Sequence, residues 1–298
     1  MRFVMGKIGI LDVGGGLRSI YGAGVFDYCM DNGIEFDYAI GVSAGSANIG
    51  SFVSRQRGRN YRFYHDYAMR PQFLDLKNRF RTGYACDIDY MYGTLANEGG
   101  EDPWDFDTAV ANPMECVAVA TDANTGKPVY FTKEAFARDN FFPFKASSNI
   151  PILNRPWYVG GMPCFDGGIS DPLPIYKAFR DGCERVVVIL TLPRNQLLNP
   201  RKDYFWAKAL KPKYPNTAIR VKHRSQTYNR QLLKTKELEK EGKVLIIAPE
   251  SVFGMKTLTQ DADTLDRLYH CGYADAKAIP GFLAKRVLTV STAAVYNR

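Results

Sequence analysis

Short apolar runs alternate with stretches of helical periodicity along most of the chain. The apolar runs predict strands over residues 7–11, 36–40, 116–120, 129–131, 185–190 and 243–248. The helical pattern predicts helices over residues 20–30, 175–181 and 263–278, and a charged helix that ends near residue 242. A loop is predicted over residues 254–259. Strands that alternate with helices are typical of an α/β fold, so we predict a mainly parallel central sheet flanked by helices.

A glycine-rich turn separates the first predicted strand from the first helix. Gly14, Gly15 and Gly16 leave their backbone amides uncovered by side chains, and the following helix favours an anion at its start. Such a loop binds either a phosphate or an oxyanion. Asp37 lies at the distance where dinucleotide sites place a ribose ligand, but Ser19 stands where that motif has glycine, and the Lys-Ser/Thr ending of a P-loop is missing. The oxyanion interpretation is therefore preferred.

The second predicted strand leads into a pentapeptide with the G-x-S-x-G form of a nucleophile elbow. Gly41, Ala44 and Gly45 are small enough for the chain to turn sharply from a strand into a helix, which holds the Ser43 hydroxyl at the apex. The pattern alone is weakly specific, because glycine and serine are common residues. Its position after a strand and before a helix strengthens the interpretation.

A catalytic serine needs a proton acceptor, and histidine is the usual one because its pKa lies near neutrality. The chain has three, His65, His223 and His270, and none lies in a segment typical of catalysis. A carboxylate is the other option, and Asp166 precedes two glycines that leave room for a serine turn to approach. Asp-Gly is also a common hairpin turn. On the residues alone, both interpretations of Asp166 stay open.

Taken together, these segments match one family in order and approximate spacing. A Gly-Gly-Gly-x-Arg loop is followed by G-x-S-x-G about 25 residues later and by D-G-G well downstream, as in the patatin-like phospholipases, which this chain resembles. The resemblance continues through residues 146–151, 166–174 and 185–190, so it spans at least residues 7–191. One position departs from the family pattern, because Ser19 stands where members usually have glycine.

The resemblance implies a three-layer α/β fold and a lipid acyl hydrolase that cleaves carboxylic esters of phospholipids or acylglycerols. It makes Ser43 the nucleophile and Asp166 its base, without a metal or an organic cofactor. The implied oxyanion donors are Gly14, Gly15 and Gly16, and the implied supporting residues are Arg18, Gly41, Gly45, Gly167 and Gly168. The alternatives are an esterase that uses a Ser-His-Asp triad on small soluble esters and a lipid-binding protein that has lost turnover.

The composition predicts one compact unit. With 298 residues and 46% hydrophobic content, the chain can fill a single large core, so we expect one domain over 1–298. Its core would span about 7–191, and a basic portion of about 192–298 would complete or flank it. We find no apolar run of membrane-spanning length and no signal-peptide core, which favours a cytoplasmic protein. The six cysteines are dispersed, and we expect them to be reduced and mostly buried.

Positive charge is concentrated in two segments. Residues 194–236 hold twelve Lys or Arg residues and one acid, Asp203, so the net charge of this segment is +11. The net charge of the whole chain is +8, so the remaining residues sum to −3. Residues 55–81 hold eight basic residues among aromatic ones, against two acids. Peripheral contact with an anionic membrane surface is the favoured interpretation, a solvated surface comes second, and nucleic acid is the least favoured partner. The sequence does not indicate an oligomeric state.

The segment over residues 78–107 is punctuated by glycines and rich in Tyr, Asp and Met. It is predicted to form a lid or a wall of the substrate site. Tyr84, Tyr90, Met91 and Tyr92 could line an acyl channel there, but core packing is the favoured interpretation of such an aromatic cluster.

Overall fold

A single sheet organises the molecule, whose computed structural model describes residues 6–73 and 83–284. The strands are β1 Lys7–Asp12, β2 Tyr38–Val42, β3 Glu115–Asp122, β4 Pro128–Thr132, β5 Trp157–Val159, β6 Met162–Asp166, β7 Cys183–Ile189 and β8 Val244–Ile247. Pairing connects the strands in the order β5-β6-β3-β2-β1-β7-β8, and β4 also pairs with β3. The five strands from β3 to β8 in this order pair in parallel, whereas β4, β5 and β6 pair antiparallel.

Helices cover both faces of this sheet. They are α1 Ile20–Asp31, α2 Ala44–Val53, α3 Arg59–His65, α4 Phe106–Ala111, α5 Phe142–Ser147, α6 Ile175–Arg180, α7 Arg201–Leu210, α8 Pro215–Lys240, α9 Ala262–Asp275 and α10 Ala278–Ala284. Alternate residues of β1 divide between the faces: Ile10 joins the core formed with α1 and α9, and Leu11 joins the core formed with α6 and α8. The predicted α/β fold with a mainly parallel sheet is confirmed.

The central strands could be predicted as continuous apolar runs because they are buried. In β7, the five residues from Arg185 to Ile189 are all buried, because both faces of a parallel sheet are covered by helices. The predicted strand at residues 36–40 begins two residues later than expected, at Tyr38. The predicted helix at residues 263–278 is divided into α9 and α10.

Segments beyond residue 191 contribute to the same core. Strand β8 pairs with β7 at the sheet edge. On one face, Leu265 and Leu268 of α9 belong to the buried cluster that also contains Ile20 and Phe26 of α1. Within the described ranges, no helix combines the length and the apolar character that crossing a bilayer requires.

The predicted lid segment lies partly outside the described residues, which include 83–107 but not 78–82. It contains a single π-helical turn, Tyr90–Thr94, in which Met91 is buried. Tyr90 and Tyr92 pack against the same core cluster as Met91. These three side chains therefore pack in the core, as the favoured interpretation expected.

Candidate active site

The sheet topology brings the predicted nucleophile and base together. Val119 of β3 pairs with Val42, while the next residue, Ala120, pairs with Asp166 of the antiparallel strand β6. Because β4 occupies the other edge of β3 at both positions, β6 must lie on the same edge as β2, just beyond its end. Ser43 directly follows Val42, so the ends of β2 and β6 place Ser43 beside Asp166.

Ser43 sits on a strained turn. Its φ of 55° and ψ of −133° are unusual for a residue with a side chain, and they mark the passage from β2 into α2. Such a conformation costs about 1–3 kcal/mol and persists only where neighbouring groups fix it. Ser147 supplies one such group, since its hydroxyl accepts a hydrogen bond from the Ser43 amide at 2.9 Å and donates to the Val119 carbonyl at 2.6 Å.

The small residues around Ser43 are required by close packing. A Cβ on Gly41 would lie 2.6 Å from the backbone of Ser46, at the first turn of α2. A Cβ on Gly45 would collide with the carbonyl oxygen and the carboxylate of Asp12. The start of α2 therefore packs directly onto the end of β1, which holds the elbow against the glycine loop.

Asp166 is buried and faces the serine. Its carboxylate accepts a hydrogen bond from the Gly168 amide at 2.7 Å and lies near the Ser43 hydroxyl. Burial raises the pKa of Asp166 to about 6, although the Ser43 hydroxyl, the Gly168 amide and the positive charge of Arg224 lower it. Gly167 lets the chain pass against the Val119 carbonyl, where a Cβ would not fit. A carboxyl with this pKa is ionised at neutral pH and is still able to accept a proton.

The glycine loop offers two unoccupied amides. The Gly14 amide already donates to the Asp12 carboxylate at 2.8 Å, and the Thr191 hydroxyl donates to the Gly14 carbonyl. In contrast, the amides of Gly15 and Gly16 donate to no described residue. Gly15 adopts a φ of 139°, which residues with side chains rarely do. Of the three predicted donors, Gly14 is thus engaged within the loop, while Gly15 and Gly16 are free to face a substrate oxygen.

Arg18 fastens this loop to the surrounding structure. Its guanidinium donates to the Thr191 carbonyl at 3.3 Å and to the Thr257 hydroxyl at 3.3 Å. The neighbouring Leu17 amide donates to the Thr257 carbonyl at 2.8 Å. The side chain of Arg18 also lines the cleft described below, so it both supports the loop and adds positive charge to the site.

Asp12 is a site residue that the sequence analysis gave no role. Its side chain is fully buried, and besides Gly14 it accepts from the Asn48 amide group at 2.8 Å. Asn48 also donates to the Ser19 carbonyl and accepts from the Tyr64 hydroxyl. Burial raises the pKa of Asp12 to about 6. This buried network connects the glycine loop to α2, and its only signal in the sequence is an aspartate at the end of an apolar strand.

An open cleft of about 640 Å³ contains Ser43, Asp166 and the glycine loop. Apolar side chains form part of its wall, including Ile150, Ile169, Leu198 and Met255. Five cations also line it, namely Arg18, Arg201, Lys202, Arg224 and Lys256. Among the described lining residues, Asp166 is the one carboxylate. The cleft therefore suits a ligand with an apolar part and a negatively charged part.

Arg224 is fixed in this cleft by a buried acid. Two of its guanidinium nitrogens donate to Asp203 at 2.9 Å and 3.1 Å, and Asp203 also accepts from the backbone amide and the hydroxyl of Ser225. The sequence showed Arg224 only as one member of a basic run. The contact with Asp203, 21 residues away, singles it out.

The three histidines lie elsewhere. All three are among the described residues, and none lines the cleft. His65 stacks on Tyr61 and bonds to the adjacent Asp66, His223 contacts Gln226 on α8, and His270 is exposed on α9. The structure therefore provides no histidine beside Ser43.

The nucleotide interpretation also loses its acidic residue. Asp37 accepts a hydrogen bond from the Ile8 amide at 2.8 Å, near the start of β1. The glycine loop follows the opposite end of that strand. Asp37 is thus too far along the sheet to serve a ligand held by the loop.

Tyr84, Tyr90, Met91 and Tyr92 do not line the cleft. Within the described ranges, no cluster of three His, Cys, Asp or Glu side chains is placed to hold a metal ion.

Comparison with known proteins identifies the family. A family model described as patatin-like phospholipase matches residues 13–179, and a model for a domain of unknown function (DUF6363) matches residues 214–280. Because the first match spans more than half of the chain, the chain belongs to the patatin-like phospholipase family, whose members act on lipid esters. The motif positions quoted above, from Gly14 to Gly168, all fall within that match.

Two individual proteins are similar to the chain. The uncharacterized protein YjjU of Escherichia coli (strain K12) is 30% identical over 212 residues, a match that covers 67% of this chain and 56% of YjjU. The chain thus spans little more than half the length of that relative. The crystal structure of VipD from Legionella pneumophila aligns with a TM-score of 0.45 and 12% identity, covering 92% of this chain and 66% of VipD.

Proposed function

We propose that this chain is a serine lipid acyl hydrolase that cleaves carboxylic ester bonds of phospholipids or acylglycerols through a Ser43–Asp166 dyad. The observation that supports it most is the placement of the Ser43 hydroxyl next to the buried Asp166 carboxylate, beside two glycine amides that donate to no described residue. Family membership supports the lipid ester as substrate class.

In the first half of the reaction, the Ser43 oxygen attacks the ester carbonyl carbon as its proton passes to Asp166. The negative charge moves to the former carbonyl oxygen, where the Gly15 and Gly16 amides stabilise it; one such donor is worth about 3 kcal/mol in other hydrolases. The C–O bond to the alcohol then breaks, and Asp166 returns the proton to the departing alcohol. An acyl ester of Ser43 remains.

In the second half, Asp166 takes a proton from a water molecule, which attacks the acyl ester. A second oxyanion forms in the same position and collapses, releasing the fatty acid, and the proton returns to Ser43. The raised pKa of Asp166 supports this role, because a carboxylate with a pKa of about 6 is a stronger base than an ordinary one. Residues 18, 41, 45, 167 and 168 would support this geometry through the contacts described above.

The lining of the cleft favours phospholipids within this substrate class. Apolar walls suit acyl chains, and the cations at positions 18, 201, 202, 224 and 256 suit a phosphate group. We also place the protein in the cytoplasm, in peripheral contact with an anionic membrane surface. All six of its cysteines are free, which is typical of a reducing compartment.

Hydrolysis of a p-nitrophenyl ester tests the dyad. Ser43→Ala and Asp166→Asn should each lower kcat by at least about 10³-fold, since each removes a reacting group. Alanine variants of His65, His223 and His270 serve as controls and should retain most of the activity. Full activity in Asp166→Asn would reject the dyad, and loss in a histidine variant would favour a triad esterase. Lipid binding without turnover in the unmodified protein would favour the non-catalytic alternative.

A further inference from the structure

Helix α7 exposes an unusual row of aromatic side chains. Asp203, Ala207 and Leu210 are its buried positions and fix it to the rest of the molecule. On the remaining surface, Tyr204 is 51% exposed, Phe205 75% and Trp206 37%. Three consecutive exposed aromatic residues on a helix that is anchored by its opposite side are not explained by packing within the chain.

Cations surround these aromatic residues. On a helix, neighbours at three and four positions share a face, so Arg201, Lys202 and Lys208 flank Phe205. All three are exposed, and none forms an ion pair with a described acid. The one acid of the helix, Asp203, points inward to Arg224. We refer to these six residues, Arg201, Lys202, Tyr204, Phe205, Trp206 and Lys208, as the α7 face.

The other basic segment of the chain behaves differently. Its described arginines are all paired with acids: Arg55 with Glu35, Arg57 with Asp31, Arg59 and Arg62 with Asp102, and Arg70 with Glu101. Lys77, Arg79 and Arg81 of that segment lie outside the described residues. The cations of the α7 face therefore have no acidic partner among the described residues, whereas the described arginines of residues 55–81 are neutralised by acids.

The α7 face also borders the cleft. Arg201, Lys202 and Trp206 line it, while Phe205, on the side of the helix away from its buried residues, does not. An object that contacts Phe205 would thus lie next to the opening through which a substrate reaches Ser43.

We propose that the α7 face docks onto the surface of an anionic lipid bilayer and holds the cleft opening against it. Aromatic residues with polar tips favour the head-group layer, an exposed phenylalanine inserts among the upper acyl chains, and unpaired cations attract anionic lipids. This combination fits a bilayer better than a protein surface or a nucleic acid, because three exposed aromatic side chains and three unpaired cations lie together on one short helix. The choice of a lipid partner rests on the proposed function.

The direct test is vesicle sedimentation with a Ser43→Ala background, which keeps the lipids intact. Vesicles of phosphatidylglycerol and phosphatidylcholine should bind the protein. Binding should weaken as the salt concentration rises and strengthen as the share of phosphatidylglycerol rises. Phe205→Ser should weaken binding at least about tenfold, because it removes the aromatic ring that inserts into the bilayer. Lys208→Gln should weaken it about fivefold. Leu233→Ser and Arg230→Gln, exposed residues of α8 outside the cleft lining, are matched controls and should bind unchanged.

Tryptophan fluorescence gives an independent readout. Trp206 should shift to shorter wavelength when vesicles are added, and the shift should be absent in Trp206→Phe, which retains Trp104 and Trp157. Unchanged binding in both Phe205→Ser and Lys208→Gln would overturn the proposal. So would binding of a DNA oligonucleotide, or dimerisation, through these residues without vesicle binding.

Activity assays separate this proposal from the proposed function. With Ser43 restored, Phe205→Ser should hydrolyse a soluble p-nitrophenyl ester like the unmodified chain but lose activity on vesicles about tenfold. Vesicle binding that depends on Phe205 in a chain without esterase activity would reject the proposed function and leave the docking surface standing. Full vesicle activity in Phe205→Ser would reject the docking surface and leave the dyad standing.

Discussion

Replacing Asp166 with Asn is expected to remove catalysis and, at neutral pH, to stabilise the folded chain. Asn cannot take the Ser43 proton, so turnover should be lost. The polar contacts of Asp166 have counterparts in the variant, because the Asn oxygen can accept from the Gly168 amide and its amide group can donate to the nearby Ser43 oxygen. What disappears is the burial of a negative charge.

The pKa of Asp166 gives the size of this effect. Burial raises it from the ordinary 3.8 to about 6, a difference of about 2 units, which corresponds to about 3 kcal/mol. Because the folded state holds the proton more tightly than the unfolded state, the stability that the protonated group provides is lost as pH rises from about 4 to about 6. Asn has no such loss, so the advantage of the variant should grow across that window and stay constant above it.

Asp12 provides a matched control. Its pKa is also raised to about 6 by burial, but both of its oxygens accept hydrogen bonds, from the Gly14 amide and from the side-chain amide of Asn48. In Asp12→Asn one of these donors would face another donor, which costs about 1–3 kcal/mol. The gain at neutral pH should therefore be smaller than that of Asp166→Asn by a similar amount.

Urea unfolding at about pH 4 and about pH 8 measures both variants against the unmodified chain. The account predicts that the free energy of unfolding of Asp166→Asn, relative to the unmodified chain, increases by about 3 kcal/mol between the two pH values. An advantage that is equal at both pH values would refute the reasoning, because it would show that the Asp166 carboxyl titrates alike in the folded and unfolded states. A loss of stability at about pH 8 would refute it as well.

Two further predictions concern residues that act through the dyad. Arg224→Gln removes a positive charge that lowers the pKa of Asp166, so the acid limb of the pH–kcat profile should move to higher pH. The control Arg230→Gln should leave the profile in place. An acid limb that does not move in Arg224→Gln would contradict this prediction. Ser147→Ala removes the acceptor of the Ser43 amide and should lower kcat more than it changes KM. Thermal unfolding should show a loss of stability of about 1 kcal/mol. A change in KM alone would contradict a positioning role for Ser147.

Much of the fold and the order of the site could be predicted from the sequence because the signals are local. Buried parallel strands such as β1 and β7 are continuous apolar runs, and the turns that follow β1 and β2 require glycines next to the strand. Since parallel strands end at one edge of the sheet, their turns meet there. The Asp166 segment was ambiguous as a turn, and only the family resemblance gave it a role.

The remaining features depend on contacts between distant residues. The Ser147 hydroxyl reaches the Ser43 amide across 104 positions, and nothing near either residue announces the pair. The Gly14 amide donates a hydrogen bond to Asp12 because the Asp12 side chain points toward the glycine loop. A run of three glycines does not predict the direction of that side chain. Likewise, two basic segments that looked alike differ in the structure, because pairing with Asp31 or Asp102 is set by the tertiary fold.

Covalent labelling tests the Ser43–Asp166 dyad most directly. An alkyl fluorophosphonate reacts with an activated serine, and the site of the adduct can be read by mass spectrometry of the digested protein. The account predicts one adduct, on Ser43, formed quickly by the unmodified chain and by the alanine variants of His65, His223 and His270, and not formed by Asp166→Asn. An adduct on another residue, or labelling of Ser43 at the full rate in Asp166→Asn, would contradict it.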